Sequence, residues 1–221
     1  MRLNGATVGA VANRSEIYDE EGNKAEEFDG SLSARGARKA AEFVKFCDAF
    51  EIPVLTLTNV TGFKATLCNE KMMAKSVGEM VHAFADATVP KVNVIIGKAY
   101  GNAYIAMNSK ATGADMVFAW DNAEIGMMDA DLAAKIMYAD ADAATLKEKA
   151  AQYRELQSGV ASAAARGYVD SVISPADTRK YVIGANPIFC SLIPFQNSST
   201  LFPIGVIAPI PVTTTRFMLF I

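Results

Sequence analysis

The apolar and polar positions divide the first 185 residues into alternating strands and helices. Residues 6–12 form a short apolar run that predicts a buried strand, weakened at Gly9. Ser33 can cap a helix running to about Phe50. Ala37, Ala40, Ala41, Val44 and Cys47 recur at helical spacing there, and Phe43, Phe46 and Phe50 widen the stripe. Residues 54–57 read as a second strand, followed by a loop over 58–63. Met73, Val77, Met80, Val81 and Phe84 place a helix over about 69–88. The β-branched run 92–96 predicts a third strand, ended by Gly97. After Gly101 the pattern turns helical, with Ala103, Tyr104, Ala106 and Met107 able to share one side. Residues 115–120 predict a fourth strand and 123–128 a short extended piece. Asp129 can cap a helix to Tyr138, and one long Ala-rich helix fills about 143–165. Residues 167–173 predict a last strand, and Pro175 starts a turn into a helix over 178–185. This alternation predicts an α/β fold. The acidic stretch 14–30 reads as a solvated loop or hairpin without chemistry of its own.

Past Ala185 the pattern changes. Of 21 basic and 24 acidic residues, Arg216 alone lies there, together with five of the eight prolines. Prolines interrupt this apolar segment too often for a good spanning helix, so residues 186–221 read as a poorly structured tail behind a domain over 1–185.

A length of 221 residues suits one domain of fair size. The net charge of −3 argues against nucleic-acid binding by bulk electrostatics. Cys47, Cys68 and Cys190 are odd in number and widely spaced; they suit a reducing cytoplasm rather than a disulfide framework. The N-terminus shows no apolar signal-peptide core. His82 is the single histidine, which excludes a histidine-rich metal site, and any Ser-His-Asp or Cys-His mechanism has to pass through it. It stands one step off the apolar stripe of its helix and reads as a surface or boundary residue.

Residues 90–107, PKVNVIIGKAYGNAYIAM, organise the chain. A strand, a glycine-punctuated turn and a helix start can make a site without a reactive side chain. The first N–H groups of a helix lack intrahelical partners and carry the positive end of the dipole. They can hold an anion or a developing oxyanion. Taken alone, the stretch more readily describes an ordinary strand-to-helix turn.

A family resemblance rests on many ordered matches: residues 43–53, 87–92, 98–104, 119–120, 123–125, 164–170 and 175–179. From about Asn4 to Ala185 the chain resembles the C-terminal, carboxybiotin-binding half of the biotin-dependent acyl-CoA carboxyltransferases. That family includes propionyl-CoA carboxylase β chains and methylmalonyl-CoA decarboxylase α chains. The resemblance implies a crotonase-like superhelix of ββα units with active sites between subunits. It implies that the backbone amides of Asn102 and Ala103, presented by the Gly101 turn, bind the ureido oxygen of biotin and form the oxyanion hole. Carboxybiotin then loses CO₂, and the resulting biotin enolate serves as the base toward the acyl-CoA α-carbon. No metal and no protein base are needed. Gly62 and Phe63 fit a family loop near the reaction centre, or else a turn glycine with a packed aromatic. Ile105 either faces the acyl group or fills the core. Glu124, near the site in the family, is read as structural. The sequence departs from the family at Gly101-Asn102, commonly Gly-Gly, and at Asn59-Val60-Thr61-Gly62-Phe63, often Asp-Val-Pro-Gly-Phe.

The function expected is thus a cytoplasmic carboxyltransferase component. It would act on a short-chain acyl-CoA with a biotin carboxyl carrier protein and a separate CoA-binding N-terminal-half domain, as a homo- or hetero-oligomer. The alternative is a non-catalytic half-domain that only docks onto carboxyltransferase subunits.

Overall fold

A computed structural model describes residues 1–13, 16–185 and 218–220. Its framework is a parallel sheet of β1 (Gly9–Ala12), β2 (Val54–Val60), β3 (Lys91–Tyr100), β4 (Met116–Trp120), β5 (Glu124–Gly126), β6 (Ser171–Ile173) and β7 (Met218–Phe220). The order is β6-β4-β3-β2-β1-β7, with β5 added to the far end of β3. Each strand alternates its side chains between two faces. Val11, Val54, Ile95 and Val117 point to one, and Val8, Leu55, Val94 and Phe118 to the other.

The first face carries α1 (Ala34–Ala49), α2 (Leu67–Asp86) and the short α3 (Gly101–Ala106). Ser33 caps α1 by accepting from Gly36 N, as its sequence predicts. The apolar stripe Ala37, Ala40, Ala41, Val44 and Cys47 is buried. Small residues let α1 approach closely. A Cβ on Gly9 would fall 2.5 Å from Cys47 Sγ, so the glycine that weakens β1 by propensity is what lets the helix seat. Burial pushes the Cys47 thiol up to about 11. At the end of α2, buried Lys91 donates Nζ to Phe84 O at 2.9 Å and Ala87 O at 2.7 Å, satisfying carbonyls the helix leaves free. Asp48, near the end of α1, accepts from Thr88 N at 2.7 Å and Val89 N at 3.2 Å, tying α1 to the chain entering β3.

After β4 and β5 come α4 (Ala130–Met137), α5 (Ala143–Tyr153) and α6 (Val160–Ala165). α7 (Thr178–Gly184) covers the second face through Val182, with Trp120 Nε1 bonded to Thr178 Oγ1 at 2.8 Å.

The structure corrects several sequence boundaries. β2 continues through the expected loop to Val60, and β3 passes Gly97 to Tyr100, because Val60 pairs with Ala99 and β5 pairs with the end of β3 on its other side. The single helix over 143–165 is instead α5, a π turn over Arg154–Ser158, and α6. Stretch 14–30 contains the antiparallel hairpin Glu16–Tyr18 with Lys24–Glu27. The last strand shortens to Ser171–Ile173. The expected poorly structured tail falls on residues outside those described, apart from β7, which pairs in parallel with β1. No helix among the described residues is long and apolar enough to cross a membrane.

Candidate active site

The end of β3 is paired on both sides, Ala99 with Val60 of β2 and Lys98, Ala99 and Tyr100 with β5. The chain then turns at Gly101, where φ is +58°, in the left-handed region that glycine enters without strain. A Cβ there would also sit 3.1 Å from the Met127 carbonyl oxygen. Tyr100 is the N-cap residue of α3 and makes no side-chain capping bond. Among the described residues, no backbone carbonyl outside α3 accepts from Asn102 N or Ala103 N. These are helix-start amides, so α3 supplies no i−4 partner for them. Ala103 is buried and anchors the turn, whereas Asn102 is exposed. The result is a pair of donors held by strand and core, able to stabilise negative charge on a ligand oxygen.

A six-residue helix has little stability of its own, so its position depends on what holds it. Beneath it, Asn93 accepts from Thr58 Oγ1 at 2.8 Å and donates to Met107 O at 3.3 Å. Asn108, left-handed at φ +54°, donates to Thr56 Oγ1 at 3.2 Å, and Ser109 Oγ donates to Ile105 O at 2.9 Å. All five side chains belong to buried residues, so the network closes the C-terminal end of α3 in a dry environment. Beside α3, Gly62–Phe63 pairs in parallel with Ser31–Leu32. Gly62, Phe63 and Ile105 therefore gather around the turn. Phe63 at 36% and Ile105 at 42% exposure leave apolar surface facing outward rather than filling the core.

A polar cleft of about 420 Å³ opens at the ends of β2 and β3, lined in part by Asp29, Asn59, Thr61, Lys98 and Glu124. The carboxyl ends of parallel strands are where open α/β sheets bind ligands. Asn59 shapes the cleft: its N–H donates to Asn13 Oδ1 at 2.9 Å, and its Oδ1 accepts from Lys98 N at 3.0 Å. Behind the turn, the Tyr100 hydroxyl donates to Glu124 Oε2. Burial, and then this bond to a carboxylate, push the Tyr100 hydroxyl well above the ordinary tyrosine range. No group of three His, Cys, Asp or Glu residues among those described could hold a metal ion.

Comparison with known proteins decides the family. The profile of the carboxyl transferase domain matches residues 1–190. The chain belongs to the carboxyl transferase domain family. This carboxyl transferase domain is 40% identical over 206 residues to the propionyl-CoA carboxylase beta chain of Roseobacter denitrificans, covering 92% of this chain and 37% of that protein. It is 39% identical over 197 residues to the methylmalonyl-CoA carboxyltransferase 12S subunit of Propionibacterium freudenreichii subsp. shermanii, covering 86% and 36%. Among solved structures, the transcarboxylase 12S hexamer core with methylmalonyl-coenzyme A bound superposes with a TM-score of 0.75 at 39% identity, covering 85% of this chain and 35% of that one. The fold is therefore crotonase-like, as the resemblance implied. The carboxyl transferase domain spans about a third of the length of the curated relatives it matches.

Within this carboxyl transferase domain, the residues singled out by sequence are brought to one place, with His82 the outlier, exposed on α2. Behind the turn, sequence reasoning missed Arg154. Glu124, read as structural, bonds Tyr100 and pairs with Arg154. Arg154 lay unmarked inside an apparently continuous helix, and no local signal distinguished it.

Proposed function

We propose that this chain is the carboxybiotin-binding half of an acyl-CoA carboxyltransferase, corresponding to the C-terminal half of the family's longer chains. The observation that supports the reading is the Gly101 turn at the end of β3. Held against the Met127 carbonyl, it leaves the Asn102 and Ala103 amides without an acceptor outside α3 among the described residues. The donor set suits the ureido oxygen of biotin, an acceptor in which negative charge develops, and neither amide is committed outside α3 among the described residues. When bound, carboxybiotin supplies the carboxyl group and the base.

The chain's own residues do the rest. Asn102 and Ala103 donate to the oxygen, Gly101 holds their direction, and Phe63, Gly62 and Ile105 offer an apolar wall for a short acyl substituent while reducing access of water. A biotin carboxyl carrier protein would deliver the group, and a CoA-binding N-terminal-half domain would complete an oligomeric, cytoplasmic enzyme.

The test is complementation. The chain alone is expected to show no acyl-CoA turnover, and adding a matching N-terminal half should restore it. Binding between the halves without turnover would favour a non-catalytic docking domain, and full activity of the chain alone would refute the half-enzyme reading.

A further inference from the structure

The group of side chains behind the turn fixes the residue that feeds the turn. Tyr100 is 2% exposed and immediately precedes Gly101. Its hydroxyl reaches Glu124 Oε2 on β5. The other carboxylate oxygen of Glu124 lies 3.1 Å from Arg154 Nε, an ion pair in which the N–H is not aligned for a hydrogen bond. Arg154 opens the π turn Arg154–Ser158, an irregularity that occurs often beside functional sites. Two further contacts clamp this turn onto β5. Glu124 bridges to Gly159, and a Cβ on Gly126 would fall 2.9 Å from Ser158 Oγ. Gly126 in turn pairs with Tyr100, and the next carbonyl, that of Met127, forms the wall against which Gly101 turns. The π turn, β5 and the end of β3 are thus stacked in one mechanical series.

We infer that Glu124, held between Tyr100 and Arg154, is a positioning residue that sets the direction of the Asn102 and Ala103 amides. It acts through the Tyr100 side chain and the Gly101 turn. The inference deepens the proposed carboxybiotin site and rests on that reading for its functional consequence. The neighbouring charges fit the role. Asp131 lies 4.0 Å from the Arg154 guanidinium, and Asp129 lies 3.7 Å from Lys98 Nζ, so Arg154 and Lys98 are each balanced by a carboxylate near the start of α4.

The test combines backbone dynamics with ligand affinity on the full chain. In the parent, ¹⁵N relaxation should give rigid order parameters, about 0.85, at Gly101 to Ala103. Glu124→Ala and Arg154→Ala should lower them toward about 0.6 at those three residues, leaving 92–96 unchanged. Free biotin should bind these variants about tenfold more weakly or worse. Arg154→Lys, which keeps the charge, should recover most of both. If Glu124→Ala does not fold, Tyr100→Phe and Glu124→Gln carry the same comparison. Unchanged order at the turn in folded variants, or a loss spread evenly along β3, overturns the inference. Loosening confined to the turn in a protein whose parent fails to bind biotin would leave the positioning role intact and refute the carboxybiotin reading instead.

Discussion

Asn59 and Gly97 occupy one another's space. The Asn59 side-chain oxygen sits 2.7 Å from where a Cβ on Gly97 would stand, and from there it accepts the Lys98 amide at 3.0 Å. β3 can run on past a glycine because the side chain from the neighbouring strand fills its missing volume. Gly97→Ala should therefore push Asn59 aside and destabilise the domain by about 1–3 kcal/mol. Asn59→Ala should cost about 1 kcal/mol through the lost hydrogen bond. The double variant should lose less than the sum of the two, because the methyl then enters vacated space. Urea denaturation of the four proteins measures the coupling, and strict additivity would contradict the packing argument.

Substitutions in the turn separate backbone from side-chain chemistry. Ala103→Pro removes one N–H and should reduce complemented carboxyl transfer by at least about 10²–10³-fold. Asn102→Gly keeps the amide and should preserve transfer, since the Asn102 side chain is exposed. Circular dichroism confirms folding, and kinetics with the N-terminal half present reads the effect. Normal turnover in a folded Ala103→Pro variant alongside an inactive Asn102→Gly variant would place the chemistry on the Asn102 side chain.

His82→Ala should leave the complemented rate within a few-fold of the parent. The residue is exposed on α2, and its side chain makes no hydrogen bond among the described residues. A loss on the order of 10²–10⁴, the scale of a removed general acid or base, would show that a protein base takes part.

Asp48 gives the domain a pH dependence. Burial acts to raise its pKa, and the hydrogen bonds from Thr88 and Val89 outweigh that, holding the folded carboxyl below its ordinary 3.8. A lowered folded pKa means that the stabilisation is present in full above the ordinary value. It is lost as pH falls from there through the folded pKa. The stability gap between the parent and Asp48→Asn should thus be constant near neutrality and shrink below about pH 4. Thermal melts across pH 2–7 check this, and a gap that widens on acidification would reverse the assigned sign.

The sequence alone was enough to specify the alternation of strands and helices, the stripe of α1 with its Ser33 cap, and the family signature around Gly101. These depend on local periodicity, capping chemistry and backbone freedom, which a few neighbouring residues decide. What it could not specify were the contacts between segments distant in the chain. Gly97 reads as a strand end until Asn59, 38 positions earlier, is seen to fill its place. Residues 143–165 read as one helix, because helical propensity runs through Arg154. Only the pull of Glu124 on β5 and the close seat of Ser158 against Gly126 mark the π turn. Lys91, a charged residue just ahead of the run 92–96, is buried because the last carbonyls of α2 arrive beside it. In each case the deciding energy is the satisfaction of a polar group or the filling of a volume by a residue far away in sequence, and only the folded chain brings those partners within reach.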